Sequence, residues 1–116
     1  MEITIEQQDG KYTLVRLKGE LRREASRRIE EELHPLIGAD APPVVVDLAG
    51  LEAIDSTGLS QLIGLATHAR MSRSQVVLFG PTPFVAGVFE VTHLDKWFDI
   101  AEDLPGAEAQ LGGPQK

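Results

Sequence analysis

Asp55-Ser56-Thr57-Gly58 set a carboxylate, two hydroxyls and a glycine in four consecutive residues, between the apolar run Val44-Val45-Val46 and an amphipathic segment. In that setting Ser56 falls at a helix N-terminus, where unpaired backbone N–H groups point outward and the dipole end is positive. A phosphate on the Ser56 hydroxyl would be favoured there by roughly 0.3 to 1 kcal/mol, changing recognition and leaving the fold intact. It would bring up to two negative charges and three acceptor oxygens, enough to repel an acidic partner surface or attract a basic one. The same residues also make an ordinary helix cap, with Asp55 or Ser56 as the cap and Gly58 serving close packing. Spacing alone leaves both readings open.

Other constellations carry less. No G-x-S-x-G is present, because Ile54 stands where its first glycine would be, and there is no G-x-x-x-x-G-K-[ST]. His34, His68 and His93 fall on three separate elements without metal-ligand spacing, which reads as polar surface or boundary histidines. A hydrolytic triad of Ser56, a histidine and Asp47 or Asp55 would have to assemble from distant positions. Arg22, Arg23, Arg27 and Arg28 crowd the start of a helix, where cations oppose the macrodipole. Arg27 with Glu31 and Arg28 with Glu32 have the spacing of i, i+4 pairs on a solvated face. The alternative is a patch for an acidic partner or a nearby phosphate, which would put Arg22 or Arg23 close to Ser56.

Composition narrows the class. The 116 residues suit one domain, and 42% hydrophobic with 25% charged residues is ordinary globular usage. A net charge of -7 argues against nucleic-acid binding and against an anionic membrane surface. The absence of cysteine excludes disulfides, thiolate metal sites and thiol nucleophiles. No basic, apolar leader opens the chain and no run approaches the ~18 apolar residues of a membrane span, so a soluble, unexported, cytoplasmic protein is expected.

The elements that would position Ser56 follow from periodicity. Met1 to Gln7 and Tyr12 to Leu17 alternate around Asp9-Gly10, predicting a hairpin. Ala25, Ile29, Leu33 and Leu36-Ile37 predict a helix closed by Gly38. Val44 to Leu48 reads as a strand buried on both faces, and Leu59, Leu62, Ile63 and Ala66 form one helical stripe over Leu59 to Arg70. Gln75 to Phe79 is another strand. Thr82-Pro83 opens a helix to about Val91, and Trp97 to Ile100 reads as a last short strand. The order ββαβαβαβ implies an α/β domain, an open mixed sheet of about five strands with helices covering one face. Residues 1–104 would form it, and 105–116 a weakly structured tail with at most a helical turn over Ala107 to Leu111.

The stretch Val44 to Leu65 resembles the signature of STAS domains in anti-sigma factor antagonists, in which a strand ending in D-L precedes a loop and a D-S-[ST]-G-L motif opens a helix. Asp47-Leu48 and Asp55-Ser56-Thr57-Gly58-Leu59 supply these parts, Leu17-Lys18-Gly19-Glu20-Leu21 is similar to the family's L-x-G-E-L, and Val88-Phe89-Glu90 through Leu94-Asp95 to its pattern before the last strand. The resemblance covers roughly residues 2–104 and implies the STAS fold. It further implies a non-catalytic module without cofactors, phosphorylated at Ser56, with Thr57 as a secondary acceptor and Asp55 orienting the loop. The implied partners are an anti-sigma factor serine kinase of GHKL type, which would bring its own ATP, and a PP2C-like phosphatase. Unphosphorylated antagonist would bind the kinase and release the sigma factor. The contact surface would comprise Asp55, Ser56, Thr57, Gly58 and Leu59 with Arg22 and Arg23; Arg22 stands where the family often has an acidic residue. The same fold also serves as a scaffold in stressosome-like complexes and as the STAS subunit of lipid ABC transporters.

Overall fold

Asp9 and Gly10 both take left-handed backbone, φ 52° and 71°, at the centre of a turn that the Lys11 N–H closes on the Gln8 carbonyl at 2.9 Å. Around them β1 (Glu2–Gln8) and β2 (Tyr12–Leu21) pair antiparallel with Gln8 opposite Tyr12. The computed structural model describes residues 1–112. Its five-stranded sheet has the order β1-β2-β3-β4-β5, with β3 (Val44–Ile54), β4 (Val76–Phe79) and β5 (Asp99–Ala101) parallel to β2. The mixed α/β architecture expected from the sequence is present.

Each parallel step needs a crossover, and the crossovers are helical. Residues 23–36 form α1, then come α2 (Ser56–Met71) and α3 (Pro83–Val91). Val15 and Leu17 of β2, Val44, Val46 and Leu48 of β3, and Val76 and Leu78 of β4 pack with Ile29, Leu33, Leu62, Leu65 and Phe89 into the main core. Alternate residues point the other way, because side chains switch faces along a strand.

The regular first helix expected from the sequence is instead irregular. It consists of a 3-10 turn (Arg23–Ala25), an α turn (Ser26–Arg28), a π turn (Ile29–Leu33) and a second 3-10 turn (His34–Leu36). Ala25, Ile29, Leu33 and Ile37 recur every four residues and all are buried. In an α-helix that period drifts about 40° per step, and a wider π turn offsets the drift and keeps Ile29 and Leu33 on one face, while Ile37 follows in extended backbone past the helix end.

The second sheet face is covered too. Tyr12, Leu14, Val45, Val77, Phe79 and Ala101 form a smaller core with Ala107, which lies on α4 (Leu104–Gln110). This corrects the expectation of a weakly structured segment after residue 104. Asp103 caps α4, its Oδ1 accepting from Gly106 N–H at 2.9 Å, and Pro105 falls in the first turn, where its missing N–H costs nothing. The Tyr12 hydroxyl donates to Glu108 Oε2 at 2.9 Å, and Gln75 Nε2 donates to the Gln110 carbonyl at 2.8 Å. Residues 113–116 of the expected tail lie outside the described residues.

Candidate functional site

Leu21 and Ile54 end neighbouring parallel strands, and β3 runs six residues beyond the expected Leu48 before it stops. Gly50 lets it do so, since a Cβ there would stand 3.1 Å from the Leu17 carbonyl oxygen. Bulges between Arg16 and Lys18 and between Gly19 and Glu20 absorb the change of register. The strand therefore delivers Asp55 directly to the end of β2, where its N–H donates to the Leu21 carbonyl at 3.2 Å.

Asp55 is the N-cap of α2, with extended backbone. Its Oδ1 accepts from Gly58 N–H at 2.7 Å, and its carbonyl accepts from Leu59 N–H at 2.9 Å. Its Oδ2 accepts from Arg23 N–H at 3.1 Å, so one carboxylate joins the first turns of α1 and α2. The Gly58 N–H is the main reason that this carboxyl titrates below the usual aspartate range. Partial burial opposes the effect, while the Arg23 N–H, the Arg22 charge and the Thr57 N–H reinforce it.

Gly58 is buried where α2 meets β2, and a Cβ there would lie 2.2 Å from the Leu21 carbonyl oxygen. No side chain fits. Ser56, two residues earlier, is the first residue of α2 and is exposed. Thr57 and Leu59 are half-buried, Leu59 against the main core. Of the motif, Ser56 is thus the residue most open to a partner, while Asp55 and Gly58 shape the turn that presents it.

Arg22 and Arg23 are exposed at the start of α1, on the same edge of the sheet. Arg22 Nε lies 3.2 Å from Glu20 Oε1, and Arg22 also lines an open hollow of about 390 Å³ with Gly19, Glu20, Glu24 and Arg28. The expected pairs further along α1 form: Arg27 Nε with Glu31 Oε1 and Arg28 Nε with Glu32 Oε2, each at 2.9 Å. Arg22 and Arg23 are the members of the cluster that lie beside Asp55.

The start of α3 comes to the same edge. The Thr82 hydroxyl donates to the Leu51 carbonyl at 3.3 Å and accepts from Val85 N–H at 3.3 Å, as the Thr82-Pro83 pair predicted. Phe84, in the first turn, is 58% exposed. Sequence reasoning passed over it, although its place beside the core-facing Val85 and Phe89 marks it as off the buried stripe. The three helix starts follow the carboxyl ends of three parallel strands, the edge at which open α/β sheets bind their ligands.

The three histidines are surface or boundary residues on separate elements, as the sequence suggested, but two of them meet. His34 Nδ1 lies 3.0 Å from His68 Nδ1. Neither serves Ser56, since His68 sits twelve residues along α2, about 18 Å away at the helical rise. Among the described residues no group of three or more His, Cys, Asp and Glu is placed to hold a metal ion. No described helix is long and apolar enough to cross a membrane.

Comparison with known proteins agrees with this architecture. The chain is 26% identical over 113 residues to the anti-sigma-B factor antagonist of Listeria monocytogenes, covering 97% of this chain and 96% of that protein. Among solved structures, an anti-sigma factor antagonist from Mycobacterium paratuberculosis superposes with a TM-score of 0.82 at 24% identity, over 95% of this chain and 92% of the other. The Bacillus cell fate determinant SpoIIAA in its phosphorylated form gives 0.68 at 22% identity, over 88% and 93%. The family model described as "Mlab, STAS domain" matches residues 5–104, and the chain belongs to this STAS domain family.

Proposed function

We propose that this chain is an anti-sigma factor antagonist, a non-catalytic binding module of the cytoplasm whose affinity for its partner is set by phosphorylation of Ser56. The observation that carries the reading is the exposure of Ser56 at the head of a 16-residue helix whose first turn is fixed by Asp55. A phosphate there adds charge without displacing any packed side chain, and the amides of the first turn favour it. The names of the Listeria and Mycobacterium relatives support the role, and the solved SpoIIAA chain is described in a phosphorylated form. Partner contact through Asp55, Ser56, Thr57, Gly58 and Leu59, flanked by Arg22 and Arg23, fits their common edge.

The partner in this reading is a serine kinase of GHKL type that also acts as the anti-sigma factor, and a PP2C-like phosphatase resets the switch. The test is intact mass and site mapping after incubation with ATP and each candidate GHKL kinase of the same organism. One phosphate on Ser56 is the expected result. Modification at Thr57 alone overturns the assignment of Ser56, and no modification by any of them overturns the switch and moves the reading to a scaffold or transporter-subunit role for the domain.

A further inference from the structure

His34 and His68 come from different helices, α1 and α2, and both are half-buried. Their ring centres are 5.0 Å apart, the planes differ by 17°, and the two Nδ1 atoms are 3.0 Å apart. The 2.0 Å difference between those distances is close to two centre-to-nitrogen radii. The nitrogens therefore lie nearly on the line joining the rings, in a head-on Nδ1–H···Nδ1 hydrogen bond rather than a face-to-face stack.

Such a bond holds one proton between two nitrogens. A neutral pair satisfies it, with one ring a donor and the other an acceptor at Nδ1, and a singly protonated pair satisfies it equally. A second added proton leaves no acceptor and sets two N–H groups and two positive charges against each other at 3.0 Å. We propose that the His34–His68 pair is a pH-sensitive latch, which fastens the C-terminal end of α1 to α2 at neutral pH and releases it when both rings are protonated.

The surroundings favour release. Partial burial, with the proximity of His68 second, lowers the proton affinity of His34, and Glu30, one turn earlier on α1, opposes that without reversing it. Of the other charges on these two elements, Arg27 pairs with Glu31, Arg28 with Glu32, and Arg70 lies against the Trp97 ring at 4.0 Å, while Arg23 and Glu24 are exposed at the opposite end of α1. Because His34 takes up its proton less readily folded than unfolded, the stabilisation is complete above the ordinary histidine range near ~6.5 and is lost as pH falls below it. Released there, α1 remains tied to α2 through the Asp55 carboxylate at its other end.

The experiment is amide hydrogen exchange on the full chain between pH 7.5 and 5, with histidine ring ¹⁵N spectra recorded alongside. Protection factors of α1 amides, corrected for intrinsic exchange, are expected to fall about tenfold per pH unit below the histidine range, while those of β3 hold. The ¹⁵N spectra should show two coupled titration steps. In His68→Gln, and independently in His34→Gln, the pH dependence of α1 protection should disappear. Two independent, single-step titrations in the parent chain would overturn the latch, as would equal pH dependence of α1 protection in the parent and either variant.

Discussion

Gly58 and Leu21 touch so closely that the α carbon of the first leaves no room for a methyl group beside the carbonyl of the second: a Cβ would stand 2.2 Å from that oxygen. The contact sets the distance between the head of α2 and the end of β2. Gly58→Ala is therefore expected to push α2 outward and to destabilise the chain by about 3 kcal/mol, the upper end of ordinary overpacking, because backbone yields less readily than a side chain. Urea unfolding checks this. A midpoint within experimental error of the parent would mean that the helix start shifts freely.

Asp55 titrates below the ordinary aspartate range in the folded chain, so the unfolded state binds the proton first as pH falls. Its contribution is fully present above roughly pH 4 and is lost as acid protonates it in the folded state. Asp55→Asn keeps one acceptor oxygen and loses the second helix start. The variant should be less stable than the parent at pH 7, and the gap should narrow as pH drops below about 4. Thermal melts across that interval decide it, and a constant gap would contradict the role of the carboxylate charge.

Ser56→Ala removes an exposed hydroxyl and should change stability by no more than about 0.5 kcal/mol. Under the proposed function it holds the partner constitutively, and Ser56→Asp weakens the complex. The informative quantity is the ratio of the two dissociation constants, read by titration calorimetry. A ratio of one would sink the gating mechanism even with both variants folded.

Ala107 is fully buried between α4 and the second sheet face. Ala107→Asp would place an unpaired charge there, a change worth about 3–5 kcal/mol when the structure cannot relax. A short terminal helix can relax by lifting off. The expected outcome is loss of exchange protection in α4, with β3 protected and the Tyr12 hydroxyl freed from Glu108. Global unfolding instead would show that the helix is integral to the sheet.

Local signals in the chain carried most of the architecture. The Val44-Val45-Val46 run, the stripe through Leu59, Leu62 and Ala66, and the Thr82-Pro83 start correspond to β3, α2 and α3 because each depends on neighbours in sequence. Features that depend on tertiary partners were hidden. The extension of β3 to Ile54 rests on pairing with β2 through two bulges, and α4 persists because Tyr12 and Gln75, far away in sequence, hold it.

The site divides in the same way. Asp55, Ser56 and Gly58 declare a capped helix start by type and spacing. That the same carboxylate also holds the Arg23 N–H, and that His34 meets His68, depends on how α1 lies against α2, which no local pattern encodes. Phe84 was passed over because an apolar residue in a helix reads as core until burial is known.

The Asp55 bridge also orders events in time. It joins residues 32 apart in sequence, across the parallel pairing of β2 with β3, whereas the β1–β2 hairpin closes on a three-residue loop. Hairpins form in roughly 1–10 μs and non-local parallel pairing comes far more slowly. The turn that presents Ser56 is thus a late product of folding, and substitutions at Asp55 should leave the folding rate unchanged while speeding unfolding. A nascent or misfolded chain offers the serine without the shape around it, so a partner that reads the shape also inspects the quality of the copy it binds.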